Sequence, residues 1–245
     1  MIQIAVVNAC TCLTDAQIEQ AVAALQIQVS RDFAPAWGVD AQLTFFPKGQ
    51  TPPLGQSQLI VMDTSDDAQA LGHHDLTADG FPIGKSFAKS DLDGGYSWTV
   101  TLSHELLEMI ADPSINLIAE IDNADGTSLF IAYEIADPVE SDAAGYDIDG
   151  IRVSNFVLPS YFESFHKPGT KYDFCGLLRG PAPAMLPDGY LSILDPQKGW
   201  QQRNAEHVAG RSVAVQRPRV GSRRERRRTP RSQWIRSSPK QDGQP

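Results

Sequence analysis

Long apolar runs are missing from this chain of 245 residues, and nothing in it approaches the roughly 20 consecutive apolar residues that a membrane-crossing helix needs. The N-terminal run Met1-Ile-Gln-Ile-Ala-Val-Val7 has no basic residues ahead of it, so a secretion signal is not expected and a cytoplasmic location without a membrane partner is. Cysteine is scarce. Three residues, Cys10, Cys12 and Cys175, make no even framework, and Cys10 and Cys12 stand too close to pair comfortably within a strand. They read as reduced structural thiols. Basic residues are also scarce over residues 1–202, where 9 Lys+Arg face 27 Asp+Glu for a net charge of −18. A body so acidic repels nucleic acid.

The remaining 43 residues reverse the balance. Residues 203–245 hold 12 Lys+Arg and 3 Asp+Glu, a net charge of +9, centred on Arg223-Arg-Glu-Arg-Arg-Arg228 with Pro218, Pro230 and Pro239 around it. Little apolar periodicity accompanies that charge, so the segment reads as a disordered basic tail following one folded domain over residues 1–202. Its expected partner is the acidic body to which it is tethered, and nucleic acid is the other candidate.

With 41% hydrophobic residues the body has enough apolar material for a single core. Ile2 to Val7 reads as a strand, and Thr14-Asp15 opens an amphipathic helix carried by Ile18, Ala21, Val22, Leu25 and Val29. Further strands are expected at Gln42 to Phe46, Leu59 to Met62 and Pro82 to Phe87. His73 and His74 fall in a long polar loop before the last of these, from which a histidine could reach the cleft of the helix that follows, but they read first as a solvent-exposed pair. Beyond residue 113 the pattern turns to hairpins, with Leu117–Ile121 and Leu129–Ile135 around Asp122-Asn-Ala-Asp-Gly126, and Tyr146–Ile148 and Ile151–Phe156 around Asp149-Gly150. The acidic turn at 122–126 lacks the full ligand set of a calcium loop. Prolines 168, 181, 183 and 187, with glycines 169, 176, 180 and 189, make the end of the body loop-like. The fold class expected is α/β (α+β), a mixed sheet with one helix packed beneath it and a hairpin-rich second half.

That helix carries the chemistry. Between Trp98 and Asp112, the residues Thr101, His104, Glu105, Glu108 and Asp112 share one stripe, while Trp98, Val100, Leu102, Leu106, Leu107, Met109 and Ile110 cover most of the rest. A helix apolar nearly all round belongs in a core. Its one polar stripe has no Lys or Arg and therefore faces a cleft, a cation or both. His104 and Glu108, four residues apart, can bind one divalent ion together. Glu105, one residue on from His104, would stand beside the ion's water as proton carrier. Glu134, in the second acidic cluster Tyr133-Glu-Ile-Ala-Asp-Pro-Val-Glu140, is the first choice of third ligand. Asp137 and Asp112 are expected to support the ligands or to replace one of them.

The segment His104-Glu-Leu-Leu-Glu108 resembles the His-Glu-x-x-His helix of zincin metallopeptidases, and the order of elements before it is similar to a metzincin-type zincin core. Glu134-Ile-Ala-Asp137 is similar in placement to the helix of thermolysin-like zincins that supplies a Glu as third ligand and an Asp supporting the first His. The pairing of the two acidic segments also resembles EXORDIUM-like proteins and a bacterial family that ends in an Arg-rich segment like Gly221-Ser-Arg-Arg-Glu-Arg-Arg227. The resemblance implies a zincin-like fold, a bound ion with zinc first and manganese or calcium next, and hydrolysis of a peptide or protein substrate. In zincins an edge strand above the active helix binds extended peptide, a place that Phe81 to Phe87 would fill. Glu108 departs from the zincin pattern. A carboxylate in place of the second histidine favours harder ions and weakens the ion as a Lewis acid, so a binding or structural protein stabilised by metal is the alternative.

Overall fold

The computed structural model describes residues 1–65, 71–122, 127–195 and 197–205. Its architecture is mixed α/β. Five strands, β1 (Ile2–Asn8), β2 (Ala41–Phe46), β3 (Ser57–Met62), β4 (Gly72–Leu76) and β5 (Pro82–Phe87), form one sheet in the order β2-β1-β3-β5-β4. All pairs in it are parallel except β4 with β5. Burial alternates along β2 and β3, which turns Leu43, Leu59 and Val61 into the core and leaves Gln42 and Thr44 in solvent.

Helix α1 (Asp15–Ile27) begins where the sequence places it, with Thr14 and Gln17 capping each other's backbone N–H groups. It buries Ile18, Ala21, Val22 and Leu25 against the sheet, then runs through a π-helical segment, Gln28–Phe33, into the short α2 (Ala34–Trp37). Gln28 at that junction is fully buried. Its amide donates to the Ser154 carbonyl at 2.9 Å, its oxygen accepts from Ser103 Oγ at 2.7 Å, and Ser103 Oγ in turn accepts from the Ser154 N–H at 3.0 Å. Three separate segments are thereby fixed by satisfied interior hydrogen bonds.

After α3 (Ala88–Gly94) comes α4 (Trp98–Ala111), the longest helix described, and every residue from Leu102 to Ile110 is buried. Leu102, Leu106 and Leu107 are completely covered, each gaining ~1.5–3 kcal/mol from removal of its apolar surface from water. The helix packs on β5, β4 and β3. Two glycines allow the approach. A Cβ on Gly72 would lie 2.6 Å from Glu105 Oε1 and 2.8 Å from Thr101 Cγ2, and one on Gly84 would lie 2.8 Å from Leu59 Cδ1 and 3.7 Å from Glu105 Cβ.

The second half is hairpin-rich, as expected. A four-stranded antiparallel sheet runs β11-β10-β7-β6, from β6 (Ile118–Asp122), β7 (Ser128–Ala132), β10 (Tyr190–Asp195) and β11 (Gly199–Asn204). The turn at 123–126 lies outside the described residues. Strands β8 (Tyr146–Ile148) and β9 (Ile151–Val153) close on Asp149-Gly150, both with positive φ, the geometry that this dipeptide favours in a two-residue hairpin. Among the described residues no helix is long and apolar enough to cross a membrane.

Three readings need correction. The polar stretch with His73 and His74 is a strand, β4, and it forms the edge of the first sheet; β5 lies inside the sheet, so Phe81 to Phe87 is not the edge that the zincin resemblance implied. Residues 168–189 are loop-like as expected, but the two strands that follow them, β10 and β11, are absent from the sequence reading. The expected strand Leu129–Ile135 ends at Ala132, which leaves Glu134 in the connection that follows. The tail beyond residue 205 lies outside the described residues.

Because the Gly72 Cβ position is occupied by Glu105 and Thr101, Gly72→Ala must push β4 away from α4. We expect it to destabilise the protein by about 1–3 kcal/mol in denaturant unfolding, the cost of overpacking a filled site. Gly49→Ala, with nothing near its Cβ position but a positive φ of 85°, should show only a backbone effect of ~1 kcal/mol. Equal tolerance of both would contradict the packing described.

Candidate metal centre

The stripe of α4 meets two other segments. His104 Nε2 lies 3.3 Å from Glu108 Oε2 on the next turn and 3.2 Å from Asp137 Oδ1, carried by the 3₁₀ turn Asp137–Val139 that follows the second acidic cluster. Glu108 is held from its other oxygen, which accepts the Ala136 N–H at 3.1 Å. All three side chains are buried, at 6%, 2% and 3% exposure. Four-coordinate zinc with bonds near 2.0–2.2 Å requires donor atoms ~3.4 Å apart. The spacings around His104 Nε2 match that requirement, and the three donors form one potential ligand set.

A second set shares Glu108. His74, at 5% exposure, places Nδ1 3.0 Å from Glu105 Oε2 and 3.5 Å from Glu108 Oε2. Its other nitrogen, Nε2, lies 3.7 Å from Glu134 Oε2. Glu134 thus approaches the cluster across the His74 ring, whereas Asp137 approaches His104 directly. Asp112 is placed differently. Its carboxylate accepts the N–H groups of Asn116 at 3.2 Å and Leu117 at 2.9 Å, tying down the chain after α4.

Two contributors escape sequence reasoning. His74 has no apolar alternation around it to mark a strand, although Asp79-Gly80, the same dipeptide that marks the β8–β9 turn, lies between β4 and β5. Tyr190 sits at the start of β10 and its hydroxyl bonds Asp137. Gly189 makes this possible, because a Cβ there would fall 2.3 Å from the Pro138 carbonyl oxygen. No nearby motif announces Tyr190.

The electrostatics follow from burial and crowding. Burial and the neighbouring Glu108 charge push Asp137 up to about 6, against the opposing hydrogen bond and charge of His104 and the bond from Tyr190. Burial alone would lower His104, but the charge of Glu108 and the hydrogen bonds to Asp137 and Glu108 outweigh it, and the imidazolium is held well above its usual range. Burial and the charges of Asp137 and Glu108 raise the Tyr190 hydroxyl well above the usual phenol range, which keeps it a donor. Burial and crowding of these carboxylates therefore favour the protonated forms of His104, Asp137 and Tyr190. Two thiols are held in the protonated form: Cys12 is pushed up to about 12 by desolvation and by its hydrogen bond to Asp63, and Cys175 to about 11 by burial and Asp173.

No protein-family model matches this chain, and neither curated proteins nor solved structures provide a match.

Asp137 and His104 both bind their protons more tightly folded than unfolded, so their contribution to stability is complete at acidic pH and is lost as pH rises. Asp137 contributes the loss approaching pH 6 and His104 the loss above its ordinary value of 6.5. Asp63, held down at about 2 by hydrogen bonds from the Thr11 backbone and hydroxyl, stays ionised throughout this window and adds no slope. The melting temperature of metal-free protein should therefore fall from about pH 5 to 8, and excess Zn²⁺ or Mn²⁺ should remove the fall. A flat or rising profile without metal would contradict the assignment.

Proposed function

We propose that this protein is a metal-dependent peptidase in which His104, Glu108 and Asp137 hold one divalent ion. The observation that carries the reading is the convergence of those three buried donors at coordination spacing around His104 Nε2. Zinc is the first candidate and manganese the next, since two carboxylates and one imidazole suit both. When bound, such an ion polarises a carbonyl and lowers the pKa of water.

The chain's own residues supply the rest. Glu105 stands beside the ligand set and carries a proton between the attacking water and the leaving amine. His74, 3.0 Å away through Nδ1, fixes the Glu105 carboxylate, and Glu134 faces the opposite nitrogen of the same ring. Tyr190 holds Asp137 from behind. Strand β4, which carries His74, is the outermost strand of its sheet among the described residues.

A second reading, a binding or structural protein stabilised by metal, draws on the four carboxylates. Glu105, Glu108, Glu134 and Asp137 together exceed the charge of one divalent ion, which makes that ion a poor Lewis acid.

Glu105→Gln separates the two readings. For a peptidase it retains bound metal and the folded state while lowering hydrolysis of a peptide library about 10²–10⁴-fold. Equal absence of hydrolysis in wild type and variant, with Zn²⁺ or Mn²⁺ loaded, would discard the peptidase and leave the binding protein.

A further inference from the structure

A second group of potential metal donors lies away from the helix α4 centre, at the carboxyl ends of β1 and β3. These two strands are parallel neighbours, and the chain leaves β1 through α1 to β2 on its other side. The crevice beyond such a switch in strand order is where open α/β sheets place ligands. Here it holds Cys10 and Cys12, just beyond β1, and Asp63, just beyond β3.

The three side chains converge. The Cys10 and Cys12 sulfurs and an Asp63 oxygen all lie within 4.8 Å of one another, and the Cys12 thiol hydrogen-bonds both Cys10 and Asp63. The loop is built rather than slack. Asp63 accepts the Thr11 and Cys12 N–H groups at 2.7 and 3.0 Å and the Thr11 hydroxyl at 2.8 Å. Asn8 Oδ1 accepts the Cys10 N–H at 3.0 Å and its thiol at 3.3 Å, which aims that sulfur. Cys10 is buried and Cys12 exposed, so the group opens to solvent on one side.

The chemistry selects a cation over an anion. The N-terminus of α1, which could otherwise receive a phosphate, is filled by its own Thr14–Gln17 capping box and flanked by Asp15. Two lysines stand nearby, and both are engaged elsewhere: Lys48 on the Cys10 carbonyl at 2.9 Å, and Lys89, whose charge also acts on Cys12 and Asp63, on the Asp93 carboxylate. Two thiolates and a carboxylate suit soft d¹⁰ ions such as Zn²⁺, Cd²⁺ or Cu⁺, whereas an oxygen-rich set suits Mn²⁺ or Mg²⁺.

We propose that Cys10, Cys12 and Asp63 form a surface site for one thiophilic metal ion, separate from the α4 centre. On binding, each thiol loses its proton to solvent as its sulfur–metal bond forms, with no change of oxidation state. The hydrogen bonds that join the thiols to each other and to Asp63 are replaced by bonds to the ion.

Cd²⁺ titration of the reduced, full-length protein tests this, read by the ultraviolet charge-transfer band that only sulfur–cadmium bonds produce. The band should saturate at one equivalent in wild type, in Cys175→Ser and in His104→Ala, and be lost in Cys12→Ser, whose exposed position lets the fold survive. Asp63→Asn should weaken binding about tenfold or more. No band in wild type, an undiminished band in Cys12→Ser, or loss of the band in Cys175→Ser would overturn the site. Survival of the band in His104→Ala keeps this result independent of the α4 centre.

Discussion

Four carboxylates and two imidazoles are buried together, and the segments that carry them, α4, β4 and residues 133–139, contain no Lys or Arg. Burying charge of one sign is among the most costly arrangements a fold can hold, and proton uptake or a bound cation relieves it. The surrounding structure is shaped by this constraint. Gly72 brings β4 close enough for His74 to reach Glu105, Gly189 brings Tyr190 to Asp137, and the Ala136 N–H fixes Glu108. Away from the cluster, the interior bonds of Gln28, Ser103 and Ser154 hold α4 against its neighbours.

The buried acidic residues divide along the His74 ring. Glu134 approaches the Nε2 side of that ring, while Asp137, three residues on, meets His104 itself. The connection after β7 decides between them. Val157 N–H bonds the Ile135 carbonyl and Ala136 N–H bonds Glu108, which turns the chain so that the short 3₁₀ segment presents Asp137 toward α4. Glu108, common to both donor sets, is the point on which the arrangement turns.

What could be read from sequence follows how locally it was encoded. The α4 stripe lies within one helix, where a fixed rotation per residue relates every position, so His104, Glu105 and Glu108 were legible together. The β1, β2 and β3 strands were legible from apolar residues, and the β8–β9 turn from Asp149-Gly150. His74 was not, because its position depends on the register of β4 against β5, and β4 itself, Gly-His-His-Asp-Leu, carries no apolar alternation. Tyr190 was hidden for a different reason. It follows a Pro- and Gly-rich stretch that reads as loop, and only long-range pairing of β10 with β7 brings it to the centre. The choice between Glu134 and Asp137 likewise depended on a bend that spacing alone does not specify.

The central claim is that Glu108 joins His104 in holding a divalent ion where the metal-free protein holds protons. Calorimetric titration with Mn²⁺, in two buffers of different ionisation enthalpy and alongside circular dichroism, addresses it directly, because Mn²⁺ favours oxygen and imidazole over the distant thiols. Wild type should take up one ion per chain with release of protons, and Glu108→Gln, which keeps its shape and fold but loses the charge, should bind far more weakly. Mn²⁺ uptake that is unchanged in Glu108→Gln, or that releases no protons, would contradict it.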